Sequence, residues 1–298
     1  MRIALPTCSN LPDWEVDDRP FHQALADAGI AYECPIWDDA AVNWETFDAV
    51  LIRTTWDYQE KQPQFVSWAR GLEGKTRLIN PIEIIEWNTR KTYLRDLEQW
   101  GAPLTPTVWL DQGTEVNLAE VLKERGWSRG FLKPVVGATA RETLPFDDSE
   151  EGLAGAAAHL GRLLPNEDMI LQPFFESVKT EGEYSAIYFG GKLSHGVQKI
   201  PVPGDYRVQD DFGASDQPHT FSDEDFARVQ AILNALDELI EERFPTMGSL
   251  LYARVDLLRD GRGQLCLNEL ELVEPSLFFR HDPESPARLV EALEHYLS

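Results

Sequence analysis

Two short stretches near the C-terminal end constrain the fold most: Arg254-Val255-Asp256-Leu257-Leu258 and Leu267-Asn268-Glu269-Leu270-Glu271-Leu272-Val273-Glu274-Pro275. Asp260-Gly261-Arg262-Gly263 lies between them and reads as a turn, so the flanking stretches are expected to pair as neighbouring strands. Residues i and i+2 of a strand share a face, which puts Glu269 and Glu271 together while Leu270 and Leu272 enter a core. Asp256 joins them from the preceding strand. Carboxylates at that range repel one another, so the cluster is expected to need a cation. Their hard oxygen atoms suit Mg²⁺, which keeps several waters and bridges phosphates. In an acidic chain a lone Glu-x-Glu also reads as a solvated strand face, but the apolar neighbours Val255, Leu257 and Leu258 favour the metal reading.

With 298 residues and 43% hydrophobic content, the chain can bury a sizeable core in two or three domains. A formal net charge of −24 argues against non-specific nucleic-acid binding, which needs clustered Lys and Arg. A small anion held by a few converging cations remains compatible with it. Cys8, Cys34 and Cys266 are too scattered for a disulfide framework or a zinc site. The stretch Met1–Pro6 lacks the apolar run of a signal peptide, and no segment reaches about 18 consecutive apolar residues. The expectation is a soluble cytoplasmic protein with no membrane contact; a homodimer stays open.

Strand and helix alternate at the start: Ile3 to Leu5, a helix from Phe21 to Ala28 stopped by Gly29, then Ile30 to Trp37 and Phe47 to Arg53. That order implies a parallel α/β sheet, whose ligands sit beyond the carboxyl ends of its strands. Arg53-Thr54-Thr55-Trp56-Asp57-Tyr58 follows such an end and is a binding-loop candidate, though it reads equally as a loop packed back on its own domain. Asn88 is placed to cap a helix carrying Lys91, Leu94 and Leu97. Phe131-Leu132-Lys133-Pro134-Val135-Val136 reads as a buried strand entering the small-residue loop Gly137-Ala138-Thr139-Ala140, and a buried Lys wants a partner. Met169 to Phe175 reads as a strand leading into a connection. Gly190-Gly191 marks a hairpin, 201–219 a long loop able to cover a ligand, and Ser222 the cap of a helix with Phe226, Val229, Leu233, Leu236 and Ile240 on its apolar stripe. A last helix begins at Pro286.

Lys91, Lys133 with its loop, Gln172-Pro173-Phe174-Phe175, Arg254, Asp256, Glu269 and Glu271 follow one another in the order of a nucleotide site. From Asn88 to Ser276 the chain resembles the ATP-grasp superfamily, in the branch of bacterial glutathione synthetase and the D-alanine ligases. The resemblance implies an N-terminal parallel α/β domain over 1–85, followed by an α+β ATP-grasp fold in two subdomains, 86–170 and 171–298. It implies that Lys91 and Lys133 approach the phosphates, that Gly137 and Arg141 belong to the phosphate loop, and that Gln172, Pro173, Phe174 and Phe175 hold the adenine. Glu183 falls at the acidic position near the ribose. Asp256, Glu269 and Glu271 match the metal positions, for Mg²⁺ with Mn²⁺ as a substitute; Glu271 stands where relatives carry Asn. The loop after Lys133 keeps a single Gly where relatives have several Gly or Ser, and no Walker-type Gly-x4-Gly-Lys sequence occurs.

The residues from Arg53 to Tyr58 and from Trp87 to Leu94 also look like the O-ureidoserine cyclo-ligase subgroup. The implied activity is an ATP-dependent ligase that turns a carboxylate into an acylphosphate for attack by a nitrogen nucleophile. Ring closure of an amino-acid-like small molecule comes first, intermolecular amide ligation second, and a small-molecule kinase or a non-catalytic nucleotide-binding module lower. Arg254 and Arg207 are the catalytic candidates. Arg53, Asp57, Lys199 and Arg207 are the substrate-binding candidates. Catalysis of this kind rests on positioning and charge, and needs no side-chain nucleophile.

Overall fold

Brief apolar segments, each followed by a turn, build the first sheet in the computed structural model, which describes residues 1–11, 16–245, 247 and 249–298. Strands β1 (Arg2–Ala4), β2 (Ala31–Glu33), β3 (Ala49–Leu51) and β4 (Arg77–Ile79) lie in the order β2-β1-β3-β4, all parallel. Ile3, Ala4, Ala49, Val50 and Leu51 are buried, as central strands covered on both faces must be. The helix Arg19–Asp27 packs Phe21 and Leu25 on one face, and the chain leaves it through Gly29 at φ 71°. The C-terminal helix Ser285–Leu297 joins the same core through Leu289, Val290 and Leu293. The strand expected over residues 30–37 shrinks to β2 because Pro35 has no N–H to continue the ladder.

The second sheet holds β5 (Val108–Leu110), β6 (Arg129–Pro134), β7 (Leu144–Asp147) and β8 (Met169–Pro173) in the antiparallel order β5-β8-β6-β7. Helices Leu118–Arg125 and Glu150–Leu163 cover it with Leu118, Leu122, Ala156, Leu160 and Leu163. Ser149 caps the longer one by accepting a bond from Gly152 N at 3.0 Å.

The third sheet is antiparallel, with β9 (Glu183–Phe189), β10 (Lys192–Ile200), β11 (Ser215–His219), β12 (Tyr252–Arg259) and β13 (Leu265–Glu271) in the order β11-β10-β9-β12-β13. Gly190 and Gly191, at φ 52° and 77°, make the tight β9–β10 turn that two positive φ values require. The helix Asp223–Arg243 starts at Ser222, whose Oγ accepts from Asp225 N at 3.2 Å, and buries Val229, Ile232, Leu233 and Leu236; Phe226 is 38% exposed.

Two expectations change here. The segment 201–219 is not all loop: its end is β11, an edge strand where Pro218 is tolerated and Asp216 is held by Arg280 and His281. Asn88 does not cap a helix. It ends the helix Ile82–Asn88, a second helix spans Tyr93–Gln99, and Lys91 sits in the turn between them. The Asn88 amide acts as a rung beside β13, donating to Leu270 O at 2.9 Å and accepting from Leu272 N at 2.8 Å.

Candidate active site

Register decides which side chains of β12 and β13 meet. Arg254 lies opposite Glu271 and Asp256 opposite Glu269, but the next pair is Leu257 with Leu267. Asn268 is therefore an extra residue, and a bulge of this kind turns two consecutive side chains to one face. Asn268, Glu269 and Glu271 all line one cavity of about 320 Å³, together with Arg254 and Asp256. Strict alternation placed the two glutamates correctly and missed Asn268.

The carboxylates are already matched with cations. Lys91 Nζ is 2.6 Å from Glu269 Oε1 and donates to Gly137 O at 2.6 Å. Lys133 donates to Asn268 Oδ1 at 3.1 Å, and Asn268 Nδ2 donates to Glu183 Oε2 at 2.8 Å. Lys199 pairs with Glu183 and lies 3.3 Å from Asp256. Arg254 reaches Asp256 at 2.9 Å, Glu271, and Ser276 O at 3.1 Å.

Charge and burial set the protonation of these groups. Burial opposes ionisation of Asp256, yet Arg254 and Lys199 hold its carboxyl at about 2. Glu269 is likewise below its ordinary value, because Lys91 and Lys133 outweigh its burial. Burial lowers the Lys133 ammonium to about 8 against the pull of Glu269. Burial also dominates at Glu271, raised to about 7 despite Arg254, and at Glu274, raised to about 8 by burial and the neighbouring Glu271.

The donor set tests the fit of a metal. Asp256, Glu269 and Glu271 offer only hard oxygen atoms, which suits Mg²⁺ over softer ions. Among the described residues no three His, Cys, Asp or Glu side chains yet converge as a finished cage.

The opposite part of the cavity is apolar. Phe131, Pro173, Phe174, Phe175, Val178, Val208 and Leu258 line it, and Phe131 meets Tyr206 edge-on with ring centroids 5.5 Å apart. Gln172 is fixed by donating from Nε2 to Thr107 Oγ1 at 2.9 Å. Between the apolar and charged parts runs the loop after Lys133. Thr139, Ala140 and Glu142 take φ of 48°, 53° and 51°, left-handed conformations adopted there without Gly. Arg141 lines the cavity, but its guanidinium braces the loop, held by Glu167 and donating to Val136 O at 2.8 Å. Arg207 also lines it, 2.7 Å from Asp205 and stacked 3.9 Å over Phe212. Its neighbour Tyr206 lies 2.8 Å from Thr143 Oγ1, joining the 201–214 segment to that loop.

Two predicted substrate residues are not brought to the cavity. Arg53 is 1% exposed and makes a two-pronged ion pair with Asp18 at 2.9 and 2.8 Å, with a further bond to Pro275 O at 3.0 Å. Asp57 accepts from Trp37 Nε1 at 2.7 Å and from Lys61 at 3.0 Å. The loop itself does reach the site, through Trp56 and Tyr58. The charged residues of the loop are thus held by Asp18, Pro275, Trp37 and Lys61, outside it, while its aromatic residues Trp56 and Tyr58 line the cavity. Glu274 also lines the cavity; its place three residues beyond Glu271, next to Pro275, was the available signal.

Comparison with known proteins agrees with this geometry. Residues 3–80 match the family described as the N-terminal domain of D-cycloserine synthetase DcsG. The chain is 32% identical over 311 aligned positions to the cycloserine biosynthesis protein DcsG of Streptomyces lavendulae, covering 99% of this chain and 96% of that one. The crystal structure of D-cycloserine synthetase DcsG superposes with a TM-score of 0.88 at 29% identity, each chain covered in full. The D-alanine–D-alanine ligase of Bacillus anthracis with ATP gives 0.68 at 14% identity, covering 100% of this chain and 97% of that chain, a likeness of fold. No helix among the described residues is long and apolar enough to cross a membrane.

Proposed function

Because this chain belongs to the DcsG family of ATP-grasp ligases, we propose that it uses MgATP to activate the carboxylate of an O-ureidoserine-like amino acid and closes a ring within that molecule. The observation that carries the reading is one cavity lined by Lys91, Lys133, Lys199 and Arg254, by an apolar group that includes Phe131, Phe174 and Val208, and by Trp56 and Tyr58 of the loop after β3. The γ-phosphoryl group passes to a carboxylate oxygen and ADP leaves. A nitrogen lone pair of the same molecule then attacks the acyl carbon, the C–O bond to phosphate breaks with its electron pair, and the nitrogen gives up a proton.

The residues divide this work by position. Lys91 and Lys133 exchange Glu269 and Asn268 for phosphate oxygens, supplying compact charge without a fixed fork. The Phe174 and Phe131 rings enclose the base beside Gln172, and Glu183 meets the ribose. Arg254 and Lys199 offset charge on the phosphoryl group in transit, and Arg207 adds to them from the lid once it leaves Asp205. Asp256, Glu269 and Glu271 would hold Mg²⁺, whose charge would offset that of the phosphates. In this reading segment 1–85 supplies the Trp56–Tyr58 loop on the amino-acid side, 86–170 the phosphate loop and Phe131 of the base slot, and 171–298 the rest of the base slot, the lid and the metal ligands. The reducing cytoplasm suits its unpaired thiols.

Incubation with O-ureidoserine of either hand, ATP and Mg²⁺ tests the proposal. Equal ADP and phosphate with a cyclic product by mass spectrometry are expected from a single amino acid. A stable phosphorylated product would make the protein a kinase, and a condensed product of two molecules an intermolecular ligase. ATP binding with no turnover would make it a binding module.

A further inference from the structure

Five consecutive backbone carbonyls, from Val273 to Leu277, each meet a side-chain donor. The Tyr252 hydroxyl is 2.6 Å from Val273 O, and Trp56 Nε1 donates to Glu274 O at 3.1 Å. Arg53 Nη1 donates to Pro275 O at 3.0 Å, Arg254 Nη1 to Ser276 O at 3.1 Å, and His195 Nε2 to Leu277 O at 2.9 Å. The donors come from the loop after β3, from β12 and from β10, so three parts of the molecule fix one five-residue segment. Ordinary connections do not need such restraint. Residues held this firmly are those whose position matters to a bound group.

We propose that this clamp exists to present Glu274, and that the Glu274 carboxylate takes the positively charged amino group of the substrate amino acid. The inference rests on the ligase reading above and deepens it by naming the group recognised. Among the described residues, Glu183, Asp256, Glu269 and Glu271 each have a Lys or Arg partner in the cavity. Glu274 lines the same cavity without an ion pair among the described residues; its carboxyl accepts from its own backbone N–H, and its backbone oxygen accepts from Trp56 Nε1. Trp56, which bonds the Glu274 backbone oxygen, and Tyr58 line the same cavity. A carboxyl without a cation partner, in a cavity lined also by Trp56 and Tyr58, suits an organic ammonium, whose charge draws it into the ionised form and completes an ion pair. Arg53 becomes a positioning residue: it never meets the substrate, and its bond to Pro275 O holds the residue after Glu274.

The test compares the wild type, Glu274→Gln, Glu274→Asp and Trp56→Phe with O-ureidoserine and its N-acetyl derivative, following ADP release. The wild type is expected to prefer the free amine by about 100-fold or more in kcat/KM. Glu274→Gln should raise KM for the amino acid roughly 10- to 100-fold, the scale of a charge-assisted hydrogen bond, and shrink that preference. KM for ATP and the Mg²⁺ half-saturation should stay put, and Glu274→Asp should recover part of the loss. Trp56→Phe, which keeps an aromatic ring but removes the donor to Glu274 O and part of the ring area, should give a smaller rise confined to the amino acid. Unchanged amino-acid KM in Glu274→Gln, or a shifted Mg²⁺ requirement with unchanged amino-acid KM, overturns the inference; the latter makes Glu274 a metal ligand. If Glu274→Gln does not fold, a Trp56→Phe effect on ATP instead of the amino acid overturns it. Absence of turnover by the wild type removes the ligase reading, and the inference with it.

Discussion

Arg53→Met is the substitution that separates a substrate contact from a buried brace. The guanidinium and the Asp18 carboxylate are each 1% exposed and joined by bonds of 2.9 and 2.8 Å, so methionine leaves a buried carboxylate without its counter-charge. Breaking a buried pair from one side costs about 3–5 kcal/mol, whereas removing both charges is often near neutral. For a chain of this length that corresponds to a fall in Tm of roughly 5–10 °C. The double variant Asp18→Asn/Arg53→Met should regain most of it, giving a coupling energy of about 2 kcal/mol or more in a double-mutant cycle. Thermal and urea unfolding of the four proteins measure this directly. KM for the amino acid should rise modestly, because Pro275 O loses its donor, with KM for ATP unchanged. A variant as stable as the wild type, with no coupling to Asp18 and a large rise in amino-acid KM, would show Arg53 to be a substrate ligand.

Other perturbations address the charged end. Glu269→Gln should fold normally and lose at least about 100-fold in kcat, since a metal-ligand charge and the partner of Lys91 vanish together; circular dichroism and ADP release check it. Asn268→Leu removes the donor that holds Glu183, the residue assigned to the ribose, and should raise KM for ATP about 10-fold or more, at roughly 1.5–3 kcal/mol for a charged hydrogen bond. Glu271 and Glu274 are acids raised to about 7 and about 8, so the folded protein keeps protons that the unfolded chain releases above about 4.5. The share of stability contributed by these two carboxyls should therefore fall as pH rises from about 4.5 towards 8, so Glu271→Gln/Glu274→Gln should flatten that part of the stability-pH curve. MgATP binding at pH 7 should release protons, seen as a calorimetric heat that varies with buffer ionisation enthalpy.

Much of this site was legible because its chemistry is local. Asp256, Glu269 and Glu271 follow from a turn and a two-residue period, and Lys133 from a charged residue inside an apolar strand. Asn268 was hidden because a bulge has no signature in alternation, and only the pairing of Leu257 with Leu267 reveals it. Arg53 misled because its partner, Asp18, lies 35 residues away and a buried pair looks like an exposed one in sequence. Asn88 resembled a helix cap because an amide satisfies a strand edge as readily as a helix end. The parallel sheet was evident from its strand and helix alternation, but not its closure by Leu289 and Leu293 from the C-terminal helix, a contact made only in three dimensions.

The central claim is that a carboxylate is activated by ATP and then attacked by nitrogen, and oxygen isotope transfer tests it most directly. The enzyme would be given O-ureidoserine carrying ¹⁸O in its carboxylate, with unlabelled ATP and Mg²⁺, and the released phosphate analysed by mass. An acylphosphate route predicts one ¹⁸O atom in each phosphate formed, in step with cyclic product. Product formed with unlabelled phosphate would contradict the account.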